Sequence, residues 1–168
     1  YQAFAGGWQY FAFSTMKDED QVEMTSKIFE YLGIISFLAF IILIPMTQWI
    51  FNLFFTGNYT KGAIVFPYLF LSPLLLMLVQ TAGTQFIVIK ESYWMTISLT
   101  VGVLVNVGMN YFMIQAYGIE GCALSTLTGY AVSVLMVIIV TGKMDLIKLR
   151  KIFILIALSM TGLVLALF

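Results

Sequence analysis

The chain reads as an all-α bundle of membrane-spanning helices, and three observations lead there. Hydrophobic residues make up 61% of its 168 residues and charged residues only 10%, against about 25% charged in soluble domains. Mean hydropathy is +1.00. The charges also cluster: 31–60, 62–89, 92–119, 121–142 and 152–168 carry none. A bilayer needs about 20 apolar residues per helix, and the first four of these runs clear that length. The third observation is the stretch 100–133, which reads as two apolar helices joined by a short polar link. Its second arm carries Gly121, Ser125, Gly129 and Ser133, each four residues after the last. That period puts four small residues on one stripe of a helix. Such stripes let helix backbones approach closely in lipid, where water supplies no drive to pair.

Taken in order, 1–15 reads as the last turns of a helix, less apolar than the later spans because of Gln2, Gly6, Gly7 and Gln9. Helices of that kind tend to face protein or a wet cavity. The charged stretch 17–30 follows. Asp20 with Glu23 resembles a capping box, and Glu23 with Lys27 has the favourable i,i+4 order. Val22, Phe29 and Leu32 share a face, so the stretch is expected to be a short amphipathic helix at the interface that runs into the next span, or a solvated connector.

The first complete span is about 29–55, with Pro45 in its middle. Pro45 cannot donate to the carbonyl of Ile41, so a kink is expected. Phe54 to Tyr59 forms an aromatic-flanked turn around Gly57. The second span, about 63–89, has Pro67 near its first turn, where proline is tolerated, and Pro73 deeper. Gln80 with Thr84, and Thr81 with Gln85, stack at i,i+4 in a polar patch. The hairpin supplies the third and fourth spans, about 93–116 and 119–141. A basic link with Lys143, Lys148, Arg150 and Lys151 leads into a fifth, 152–168. Alternating sides puts seven cations on one side and only Lys61 on the other. The positive-inside rule makes the first side cytoplasmic and turns Gly57 and Gly118 outward.

Composition excludes much chemistry. Net charge is +0, so no field invites nucleic acid. Histidine is absent and Cys122 is the single cysteine, which removes the usual metal ligands and general base. Neither a metal site nor a cofactor is expected, and the chain is not expected to be an enzyme. Asp18, Glu19 and Asp20 sit in a solvated run. Glu120 stands alone in the outward turn and is expected to face solvent. No ionisable residue lies deep in a span. What remains is amide and hydroxyl chemistry: Gln80, Thr84, Gln85, Asn106 and Asn110. An unpaired amide in hydrocarbon costs several kcal/mol. These side chains either bond neighbouring helices, at about 0.6 to 2 kcal/mol each, or line a cavity offering donors and acceptors to sugar hydroxyls. Trp8 and Gln9 on the partial first helix join them as cavity-lining candidates. Trp8 and Tyr10 either stack on sugar rings or anchor the interface.

Asn106-x-x-x-Asn110, then Tyr117-Gly118-Ile119-Glu120-Gly121-Cys122-Ala123, then Ser125-Thr126 and Tyr130, resembles the Asn-rich span and Gly-x-x-Gly-Ala-Ala-x-x-Thr turn of the polysaccharide flippase family. That family belongs to the multidrug/oligosaccharidyl-lipid/polysaccharide exporter superfamily. Cys122 stands where the family pattern has alanine. Leu53-Phe54 followed by Gly57-Asn58-Tyr59 and Ala63, and Gln85 before Lys90, add to the likeness.

The resemblance implies twelve or fourteen helices in two lobes, with this chain spanning the end of the eighth helix to the thirteenth, as a piece of a longer protein. It implies transport of polyprenyl-pyrophosphate-linked oligosaccharide from the inner to the outer leaflet of a bacterial cytoplasmic membrane. The partners it implies are membrane lipid, the lipid-linked substrate and the polysaccharide polymerase machinery. The stretch 1–15 would then face the central cavity. Two relatives in the superfamily are alternatives: a drug–cation antiporter, which wants an acid at membrane depth, and a cell-wall lipid precursor flippase. A membrane-embedded glycosyl or acyl transferase is the alternative of another class, and Glu120 is the acid it would have to use.

Overall fold

The computed structural model describes residues 2–54 and 62–150. Four helices follow one another: α1 (Gln2–Ser14), α2 (Gln21–Phe54), α3 (Phe66–Val88) and α4 (Tyr93–Lys143). There is no strand among the described residues, so the fold is all-α. Three of these helices are long and apolar enough to cross a bilayer. The expected turn around Gly57 and the fifth span, 152–168, lie outside the described residues.

α4 is a hairpin. Helical geometry breaks inside it only at Gly118, where φ is 59° and ψ is −131°. That conformation belongs to the first central position of a type II′ turn and demands glycine. The turn falls where the polar link predicts it. The two arms, 93–117 and 119–143, each keep the length a bilayer requires.

α3 lies at the centre, packed against α1, α2 and α4. Its sequence is apolar on all sides, as a helix surrounded by others must be, and 81–86 is buried without interruption. Leu71, Leu75, Leu78, Val79, Ala82 and Phe86 from α3 meet Phe29 and Phe40 from α2 and Val134 and Val137 from α4. Pro67 occupies the first turn of α3, where its missing N–H goes unmissed.

The charged stretch runs into the first span as one helix: α2 is unbroken from Gln21 to Phe54. Its 34 residues span about 50 Å at 1.5 Å each, more than the ~30 Å of hydrocarbon. The first turns, with Glu23 and Lys27, therefore extend beyond the apolar layer. Pro45 lies inside this helix without ending it.

Small hydroxyl residues are buried beside the apolar core while long apolar stripes stay exposed. Thr25, Ser36, Thr47, Ser72, Thr81, Thr84, Ser98, Ser125, Ser133 and Thr141 are buried. Most of their hydroxyls bond a carbonyl one turn back on their own helix, as Thr47 does to Leu43 and Thr141 to Val137. Tyr31, Ile35, Leu38, Ile42, Met46, Trp49 and Leu53 form an exposed apolar stripe along α2. Val103, Leu104, Val107, Tyr111 and Phe112 do the same on α4. Apolar patches of this extent are disfavoured in water and natural against acyl chains.

Candidate functional site

The small-residue stripe is the seam of the hairpin. Gly121, Ser125, Gly129 and Ser133 are all buried. Gly102 faces Gly129 and Ser133, Asn106 faces Gly129, and Met113 faces Gly121, pairs arranged symmetrically about the turn. A Cβ on Gly129 would come within 2.8 Å of both Asn106 Cβ and the Gly102 carbonyl oxygen. The backbones touch here because no side chain intervenes. Ser125 and Ser133 donate to Gly121 and Gly129 carbonyls on their own arm, at 2.8 and 3.1 Å, so the seam leaves no hydroxyl wanting.

Along this seam opens a cleft of about 110 Å³, lined by Leu99, Gly102, Asn106, Thr126, Tyr130 and Ser133 among others. It has room for a few waters. Asn110 Nδ2 donates to Asn106 Oδ1 at 2.6 Å, the one-turn pairing their spacing allows. Asn110 Oδ1 is buried without a partner among the described residues.

The other cavity candidates lie elsewhere. Gln85 is sealed between helices and donates to Thr25 Oγ1 of α2 at 2.8 Å; both residues are 1% exposed. Thr84, also buried, donates to the carbonyl of half-buried Gln80 at 2.6 Å. The structure thus gives Gln85 the helix-bonding role rather than a place on a cavity wall. Trp8 is 5% exposed and packs beside Phe4 and Phe11, with ring centroids 6.4 and 5.6 Å away. Gln9 beside it is exposed. The hairpin cleft takes in Asn106 but none of Trp8, Gln9, Gln80, Thr84, Gln85 or Asn110.

Glu120 is not alone. It is half-buried, and Tyr68 at the start of α3 donates to its Oε1 at 3.1 Å, tying the hairpin tip to the central helix. Sequence reasoning missed this pair because 52 residues separate its members.

At the opposite end of the bundle, a recess of about 440 Å³ is lined by Glu19, Asp20, Glu23, Ser26, Lys27, Glu30, Lys148 and Arg150. Glu23 and Lys27 form the expected i,i+4 pair at 2.7 Å. The lysine's hydrogen bond and charge hold the Glu23 carboxyl below its usual range, and the carboxylate raises Lys27 in turn. Both are solvent-exposed, so the pair adds little to stability. Glu30 differs: it is 5% exposed and bonded to Arg150. Only its position in a charged stretch marked it in the sequence. Comparison with protein-family models, curated proteins and solved structures finds no match to this chain.

Proposed function

We propose that this chain belongs to a carrier that moves a lipid-linked oligosaccharide from the cytoplasmic to the outer leaflet of a bacterial cytoplasmic membrane, feeding a polysaccharide polymerase. The observation that carries the proposal is the run from Asn106 to Tyr130. Its asparagine pair, glycine turn and small-residue register resemble the polysaccharide flippases, and it folds as a hairpin of closely apposed arms with a small cleft along its seam that takes in Asn106 and Ser133. Hydroxyls bonded to their own helices inside the bundle and long apolar stripes on its outside support a membrane carrier.

The task requires no covalent step. A sugar head group crossing unaided would strip water from many hydroxyls, each costing on the order of 2 kcal/mol or more. A carrier replaces that water with amides, hydroxyls and ordered solvent while the isoprenoid tail stays in lipid. The bundle interior is filled by side chains, so the head group would pass along a face of the bundle and not through it.

Depletion of the protein in the cell tests the reading. Lipid-linked repeat units are expected to accumulate on the inner leaflet, scored by their protection from an external glycosidase. Normal outward movement would reject the proposal. Normal movement together with a loss of resistance to cationic drugs would point to an antiporter instead.

A further inference from the structure

We propose that Ser26 and Glu30 form a clasp that holds the strap 144–150 in register along α2 and sets the direction in which the chain leaves α4. The strap begins with a reversal. Asp145 takes φ 55°, the Leu146 N–H bonds the Thr141 carbonyl at 2.9 Å, and the Asp145 N–H bonds that of Gly142 at 3.3 Å. This is the Schellman pattern, which ends a helix and turns the chain aside. Beyond it the strap is not helical, so its N–H groups need other acceptors. Ile147, 5% exposed, joins the core that contains Phe29. The Lys148 N–H donates to Ser26 Oγ at 2.9 Å. The Arg150 N–H donates to Glu30 Oε1 at 2.7 Å, and Arg150 Nε donates to Glu30 Oε2 at 2.9 Å.

The spacing explains the fit. Two residues of extended chain advance about 6.6 Å, and four residues of helix about 6 Å. Alternate N–H groups of the strap therefore meet acceptors one turn apart on α2. The order, 148 on 26 and 150 on 30, makes the strap run parallel to α2.

A surface ion pair would hold nothing of consequence, but this one is lopsided. The Arg150 side chain is 58% exposed and that of Glu30 only 7%. A carboxylate so enclosed must keep its partners, and both its oxygens are taken by one residue of the strap. Among the other charges lining the recess, Lys27 is engaged by Glu23. Glu19 and Asp20 lie on the link before α2, and Lys148 is exposed.

Limited trypsin digestion of the full-length protein in lipid nanodiscs reads the clasp directly. Lys148 and Arg150 are cleavage sites within the strap, and Lys17, in the link between α1 and α2, is the internal reference. Relative to Lys17, cleavage in the strap is expected to be about tenfold faster in Glu30→Gln. A smaller rise is expected in Ser26→Ala, which loses the acceptor for Lys148 and the hydroxyl's bond to the Val22 carbonyl but keeps the helix. Unchanged relative rates in both variants overturn the clasp. So does a rise shared equally by Lys17, which reports loosening of the whole bundle. If Glu30→Gln does not fold, the Ser26→Ala ratio decides alone.

Discussion

At Gly102 the hairpin tolerates no atom beyond the backbone. An added Cβ would overlap Ser133 Oγ and lie 2.5 Å from the Gly129 carbonyl oxygen. Gly102→Ala is expected to cost about 1–3 kcal/mol by forcing the arms apart. Gly108, six residues on, has open space at the same point. Gly108→Ala should be neutral or stabilise by up to about 1 kcal/mol through helix propensity. Thermal unfolding of the two variants in the same detergent compares them, and equal midpoints would contradict the close seam. The stripe itself is visible in the sequence, since a four-residue period defines one helix face wherever the helix goes. What it meets is not. Gln85 shows the limit: its i,i+4 neighbours are legible, but its partner Thr25 stands 60 residues away on a helix whose rotation no local pattern fixes. Glu30 and Arg150, 120 residues apart, were hidden for the same reason.

Among the elements, boundaries set by special residues are legible and those set by packing are not. Gly118 announces the break in α4 because only glycine suits φ 59°, ψ −131°. The end of α3 carries no such mark. It closes at Lys90 with φ 65°, the Glu91 N–H bonding the Phe86 carbonyl at 2.7 Å and the Lys90 N–H that of Ile87 at 3.0 Å. This is the same Schellman closure that Asp145 gives α4. A left-handed residue with a Cβ costs about 1–2 kcal/mol, so Lys90→Gly should stabilise the protein by about 1 kcal/mol. The check is a raised unfolding midpoint in Lys90→Gly and a lowered one in Lys90→Val. In α2 an amphipathic stretch and an apolar span form one helix. With no glycine or proline at their junction, the helix continues from one into the other.

For the molecule as a whole, small hydroxyl residues sit buried beside an apolar core while long apolar stripes stay exposed, a pattern that suits helices facing lipid. Which end faces the cytoplasm rests on the lysine and arginine asymmetry. Cys122, the single cysteine, is exposed just past the hairpin turn. An impermeant maleimide added to intact cells should label it. Labelling seen only after the membrane is opened would invert the proposed orientation, and with it the side on which the strap lies.

A hinge of one glycine also dictates how α4 comes into being. With Gly118 alone between the arms there is no slack for the first to settle across the bilayer while the second waits in water. The pair is expected to insert as one unit, since the contacts it needs are already local: Gly102 with Ser133, Asn106 with Gly129, Met113 with Gly121. α4 can thus close on itself without waiting for its neighbours, and α3, made before it, gains that whole surface in one step.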